Sequence, residues 1–202
     1  SDKHTGMLAT ALHLGEPLQG YVSPVHGVQQ RILGTLEALC GLDLGDAPRG
    51  TDGCSVPTWA IPLNNLALAF ARFGAPDDFL PRERAAAATR IRKAVAAYPE
   101  MVAGSDRYCT AMMAAAGEAI FVKTGAEGVF CAALPEFGLG IALKCDDGAP
   151  RASQIMMTAV LRRIGALDDG LADRLDALVT VPIENCNGNP VGEVRPSNEM
   201  GF

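Results

Sequence analysis

Apolar residues recur at helical spacing along the first forty positions. Residues 4–14 set Met7, Leu8, Ala11 and Leu12 on one face and run into Gly15, which predicts a helix ending there. In "YVSPVHGVQQRILGTLEALCG" the stripe is Val25, Val28, Ile32, Leu36 and Leu39. Ser23 suits its N-cap, Pro24 the first helical position and Gly41 its close. On this pattern His13 and His26 read as ordinary helix residues, without partners at metal-ligand spacing. The next stretch, "GLDLGDAPRGTDGCSVPTWAIP", loses all periodicity and fills with Gly, Asp and Pro. It predicts a long irregular loop, the kind of segment that carries function.

Helical periodicity returns at 63–74, in "PRERAAAATRIRKAVAAYPE" opened by Pro81, and in "GSDRYCTAMMAAAG" with Ser105 as its N-cap. Then the period shortens. "EAIFVKTGAEGVFCAALPEFGLGIALKCDDG" reads as three short strands joined by Gly-containing turns. Two helices follow, in "ASQIMMTAVLRRIGAL" and "ADRLDALV", and "VTVPIENCNGNPVGEVRP" closes as a hairpin turning at "NGNP". Helices, an antiparallel meander, then helices predict an α+β fold in which an antiparallel sheet packs with helices. No repeat or linker interrupts residues 1–202, so a single domain is expected.

Composition narrows the class. Apolar residues make up 49% and charged residues 20%, the balance of a globular chain. Aromatics are only 5%, so the core must come from Ala, Leu, Val, Ile and Met. No apolar run approaches the ~18 residues that cross a bilayer. A net charge of −6 argues against nucleic acid as the partner. The expected setting is cytoplasmic, with a small-molecule substrate and neither nucleic acid nor membrane as partner. The six cysteines are never closer than 14 positions, which excludes C-x-x-C sites and leaves buried thiols as the ordinary reading.

Three stretches could carry chemistry. Lys3 and His4 precede a helix, either as a solvated entry or beside a site that favours anions. In "GTDGCSVP", Gly50 and Gly53 hold Cys54 in a tight loop beside Asp52 and Ser55. Such a thiol is a nucleophile or metal ligand, or else an incidental member of a "DG" turn. In "GLGIALKCDDG", alternation puts Gly140, Ala142 and Lys144 on one strand face and Leu139, Ile141 and Leu143 on the other. Small residues mark the close approach of a ligand or of another backbone. Lys144 at their end is a general base if desolvated, or a solvated strand-end cation.

Five blocks, "SDKHTGMLA", "GTDGCSVP", "PEMVAG…RYCT", "GLGIALKCDDG" and "NCNGNPVGEVRP", together resemble the thermolabile, rhizobial-type L-asparaginases. Those enzymes are similar in fold to serine β-lactamases and penicillin-binding transpeptidases, not to the bacterial type I and II asparaginases. The resemblance runs in order from Ser1 to about Arg195. It implies hydrolysis of L-asparagine to L-aspartate and ammonia, by a homodimer. It also implies a zinc ion held by Lys3, by Cys54 and by a further Cys that would fall immediately before Ser1. Lys3 would then be a neutral amine, a form the cation itself favours. Asp52, and His4 beside Lys3, would orient the ligands. Lys144 takes the place of the base in a Ser–Lys pair whose serine belongs to an upstream S-x-x-K segment.

On this reading "SDKHTG" is an internal active-site turn, and the chain is the C-terminal portion of an asparaginase-like domain. It is expected to be inactive alone, because Ser55, Ser105 and Ser153 are not followed three residues later by Lys. Asp2 departs from the Gly usual in the family at that point. Two other readings stand beside it. One is a zinc-binding or assembly domain without activity. The other is an N-terminal-nucleophile hydrolase attacking through Ser1, although such chains open on an apolar strand.

Overall fold

The first helix, α1 (Asp2–His13), forms where the opening periodicity predicts, and it buries Ala11 completely. A computed structural model describes residues 2–167, 169–175, 178 and 180–197. Contacts divide the chain into two compact units, Ser1–Asn65 and Leu66–Phe202. Both mix helices with small antiparallel sheets, so the class is α+β. None of the described helices is long and apolar enough to cross a membrane.

In the first unit, α2 spans Gly27–Cys40 and closes on Gly41, whose φ of 63° is left-handed as a helix-ending glycine requires. Its start differs from the expectation at Ser23. Residues 20–26 are spent on tight turns, in which Ser23 N–H donates to Gly20 O and His26 N–H to Ser23 O. The N-cap is His26, whose Nδ1 accepts from Val28 N–H at 3.2 Å while Nε2 lies 2.8 Å from Pro17 O. Those two bonds require the proton on Nε2. Val25, placed on the apolar stripe by sequence, falls outside the helix and is 85% exposed. The irregular loop folds back on itself as an antiparallel hairpin of β1 (Arg49–Thr51) and β2 (Pro57–Trp59). Val56 and Trp59 anchor this hairpin by burial.

In the second unit the strands lie where the period shortens. These are β3 (Phe121–Thr124), β4 (Val129–Leu134) and β5 (Leu139–Lys144), a meander in the order β3-β4-β5. Helices α3 (Leu63–Gly74), α4 (Arg82–Ala97), α5 (Glu100–Ala103) and α6 (Tyr108–Ala116) precede it. Helices α7 (Pro150–Arg163) and α8 (Asp169–Arg174) follow. Ser105 does not cap α6. Asp106 adopts a left-handed φ of 56°, and the helix starts after Arg107.

Phe130, Ala132 and Leu134 of β4 face the core with Met112, Met113, Met157 and Leu161 from α6 and α7. The other face of the sheet meets α3, where Phe73 packs edge-on against Phe121. A side chain at Gly140 would strike the backbone at Ala67 and Ala71. The small-residue face read from the sequence is therefore the seat of a helix. The chain ends in a hairpin of β6 (Val181–Glu184) and β7 (Pro190–Val194), turning at Asn185–Asn189 as predicted.

Candidate functional site

Backbone geometry at the tip of the β1–β2 hairpin assembles the first cluster. Asp52 N–H donates to Val56 O and Ser55 N–H to Asp52 O, with Ser55 held at a φ of 76°. The chain between them is forced into a knuckle that lifts Cys54 beside Asp52. Asp52 Oδ1 accepts from Gly53 N–H at 2.8 Å. Its Oδ2 accepts from both Lys3 Nζ, at 2.8 Å, and Cys54 Sγ, at 3.0 Å. An amine, a thiol and a carboxylate thus meet at one oxygen, although Lys3 and Asp52 are 49 residues apart in the chain.

The electrostatics follow from these contacts. The thiol hydrogen bond from Cys54, reinforced by Lys3, holds the Asp52 carboxyl down at about 2. Asp52 in turn, with Cys54, holds Lys3 in its ammonium form by raising its pKa. A cavity of about 280 Å3 opens alongside, with Lys3 and Asp52 at its polar end and Met7, Ile32, Val56 and Trp59 among its walls. His4 is turned elsewhere. Its Nδ1 lies 2.8 Å from Tyr21 Oη and the two rings meet edge to face.

Zinc favours nitrogen, sulfur and carboxylate donors, so Lys3, Cys54 and Asp52 suit it by type. Among the described residues no three His, Cys, Asp or Glu side chains group to hold a metal ion, so any metal here needs the lysine. The set fits zinc with Lys3 neutral, because the proton that now binds Asp52 occupies the lone pair a metal would take.

Lys144 lies in the other unit, exposed at the end of β5, with Nζ donating to Cys145 O. On the same sheet the structure forms a cavity of about 250 Å3 that sequence reasoning did not anticipate. Arg107, at the entry to α6, and Lys123, on β3, are its two cations, with Thr124, Gln154, Tyr108 and Cys109 also lining it. Asp and Glu are missing from that lining among the described residues. Cys109 is buried and its thiol is pushed up by desolvation, with Lys123 and Arg107 opposing that shift in part. The available signal was a charge, Lys123, set between apolar and small residues of a strand. Ser1, the candidate N-terminal nucleophile, lies outside the described residues.

The family model described as L-asparaginase II matches residues 1–196 of the chain. All five sequence blocks, the Lys3–Asp52–Cys54 cluster and the cavity at Arg107 and Lys123 fall inside that span. Among curated proteins, no match is found.

Proposed function

Because the chain belongs to the L-asparaginase II family, we propose that it hydrolyses the side-chain amide of L-asparagine to L-aspartate and ammonia. Within the family we assign it to the thermolabile, rhizobial type, with a fold like that of serine β-lactamases, on the strength of the five sequence blocks. A homodimer in the cytoplasm completes the proposal.

One observation carries the choice of site: the cavity with two cations and no carboxylate in its described lining. Asparagine brings an α-carboxylate, and Arg107 offers it a planar, paired-donor fork. Lys123 sits within reach of whatever occupies the same cavity. A neutral lysine amine beside the bound substrate can draw a proton from an attacking hydroxyl. Lys144, the base implied by the resemblance, lies on the same sheet face but does not line this cavity. We therefore place the base at Lys123 and keep Lys144 as its rival.

Lys3, Cys54 and Asp52 would hold the zinc. When bound, the metal would supply Lewis acidity toward an amide carbonyl. The residues themselves contribute a charge-ordered knuckle: Asp52 fixes the thiol and the amine in one place, and Gly53 N–H fixes Asp52.

The test is ammonia release from L-asparagine by the natural protein and by two variants. Lys123→Ala should lower turnover by roughly 10²–10⁴, the range of a lost acid–base group, with circular dichroism unchanged. Lys144→Ala should remain near the parent. The reverse result would move the base to Lys144. No ammonia release from the parent protein would reject the activity.

A further inference from the structure

The turn between β6 and β7 holds three asparagines in five residues, Asn185, Asn187 and Asn189, all exposed. An asparagine amide is lost without any enzyme when the next residue's backbone nitrogen attacks its Cγ. That attack needs an N–H on the following residue, little steric obstruction there, and a side chain free to turn back on the chain.

The three positions differ on each count. Asn189 precedes Pro190, whose nitrogen carries no N–H. Asn185 is immobilised, because its Oδ1 accepts from Asn187 N–H at 2.9 Å and from Asn189 N–H at 3.1 Å. It is also followed by Cys186, whose side chain crowds the approach. Asn187 precedes Gly188, which has no Cβ and has open space where one would stand. From this geometry we propose that Asn187 is a self-modification site. This inference stands apart from the activity proposed above.

The step balances within the chain and water. Gly188 N gives its proton to solvent base and forms a bond to Asn187 Cγ. Nδ2 takes a proton from water as the Cγ–Nδ2 bond breaks, and ammonia leaves, giving a five-membered cyclic imide. Water then opens the imide at either carbonyl, leaving an aspartyl or an isoaspartyl residue in place of Asn187.

Gly188 N–H donates to Asn185 O at 2.9 Å, so the turn must open before attack. Opening is cheap at this place. Apart from Val194 at the end of β7, both strands of the hairpin are exposed throughout, and an isolated two-stranded sheet is marginal in water. The isoaspartyl product adds a backbone atom between Asn185 and Gly188 and removes the closing hydrogen bond, so modification loosens the hairpin it arises in.

The experiment ages the natural protein at mildly alkaline pH and maps its peptides by mass spectrometry. The expected product carries a hydroxyl in place of an amide NH2 at position 187, largely in the isoaspartyl form, with positions 185 and 189 unchanged. Asn187→Gln should abolish it. Asn185→Ala, which removes the two side-chain bonds that stiffen the turn, should speed it several-fold. Modification mapped first to 185 or 189 would overturn the proposal. So would an unmodified position 187 in folded protein under conditions where the denatured chain reacts.

Discussion

The cluster at the β1–β2 knuckle and the meander β3–β5 are ordered by opposite means. Lys3 and Asp52 are partly open to solvent, with side chains 49% and 39% exposed. Exposed ion pairs of this kind contribute little stability. Their geometry comes from the hairpin beneath them, whose backbone bonds at Asp52 and Ser55 would form whether or not Lys3 were present. The meander is ordered by exclusion of water, with Phe130, Ala132 and Leu134 of one strand fully buried. Substitution at the knuckle should therefore cost folding little, and substitution in the buried strand much.

The largest effect on stability should come from Phe130→Ala. Phe130 is 0% exposed and meets the Tyr108 ring edge to face at 5.2 Å. Truncation of a buried Phe costs about 3–5 kcal/mol. Urea denaturation should show that loss with the slope unchanged. A loss under about 1 kcal/mol would mean that the meander is not the centre of the second unit.

Gly140→Ala comes next. The added methyl would collide with backbone at Ala67 and Ala71, and backbone cannot swing aside as a flexible side chain does. Overpacking of this kind costs roughly 1–3 kcal/mol or more. The midpoint of urea unfolding should fall accordingly. Gly50→Ala on the exposed hairpin, with its nearest neighbour at 3.6 Å, is the matched control and should be close to neutral.

Gly140 also shows what was legible in the sequence. Strand alternation correctly put Gly140, Ala142 and Lys144 on one face, yet a period cannot say whether a helix or a ligand covers it. Here α3 does. Helix interiors were legible from the 3.6-residue stripe, and so was the start of α4 at Pro81, while two other N-termini were not. Ser23 and Ser105 both offer a hydroxyl, but turns at 20–26 and the left-handed Asp106 start the helices later. Of the candidate site, Lys3 and Cys54 were marked by short motifs, but their meeting at Asp52 depends on a turn that brings distant segments together. Arg107 looks in sequence like an ordinary surface cation, and Lys123 is marked only by its apolar and small strand neighbours. Only the packing of α6 against β3 turns them toward one cavity.

A smaller effect is expected at Tyr108 and Thr158, whose hydroxyls lie 2.8 Å apart in the buried unit. Burial drives the Tyr108 phenol well above its ordinary pKa, so it remains a neutral hydrogen-bonding group. Thr158→Val preserves shape and deletes that partner, at a cost of about 1–3 kcal/mol for a buried hydroxyl left unsatisfied. A neutral result in thermal unfolding would show that Tyr108 Oη finds another acceptor.

The smallest effect on stability, and the most local, concerns Asp52. Its folded pKa of about 2 lies below the ordinary value of 3.8, so its contribution is present above 3.8 and lost as pH falls through about 2. Lys3 runs the other way. Its pKa is raised above 10.5, so its contribution is complete below 10.5 and lost as pH climbs past the folded value. The Lys3–Asp52 ion pair should therefore be intact across the whole neutral range and open only in strong acid or strong base. Global unfolding would not resolve so exposed a pair, but the carboxyl carbon of Asp52 followed by NMR would. Its midpoint should lie near 2 and should rise when either partner is removed. The thiol hydrogen bond is the larger cause, so Cys54→Ala should raise it more than Lys3→Met. If Lys3→Met moves it further, the cluster is an ion pair with a thiol nearby, and the knuckle that presents Cys54 to Asp52 would lose its electrostatic purpose.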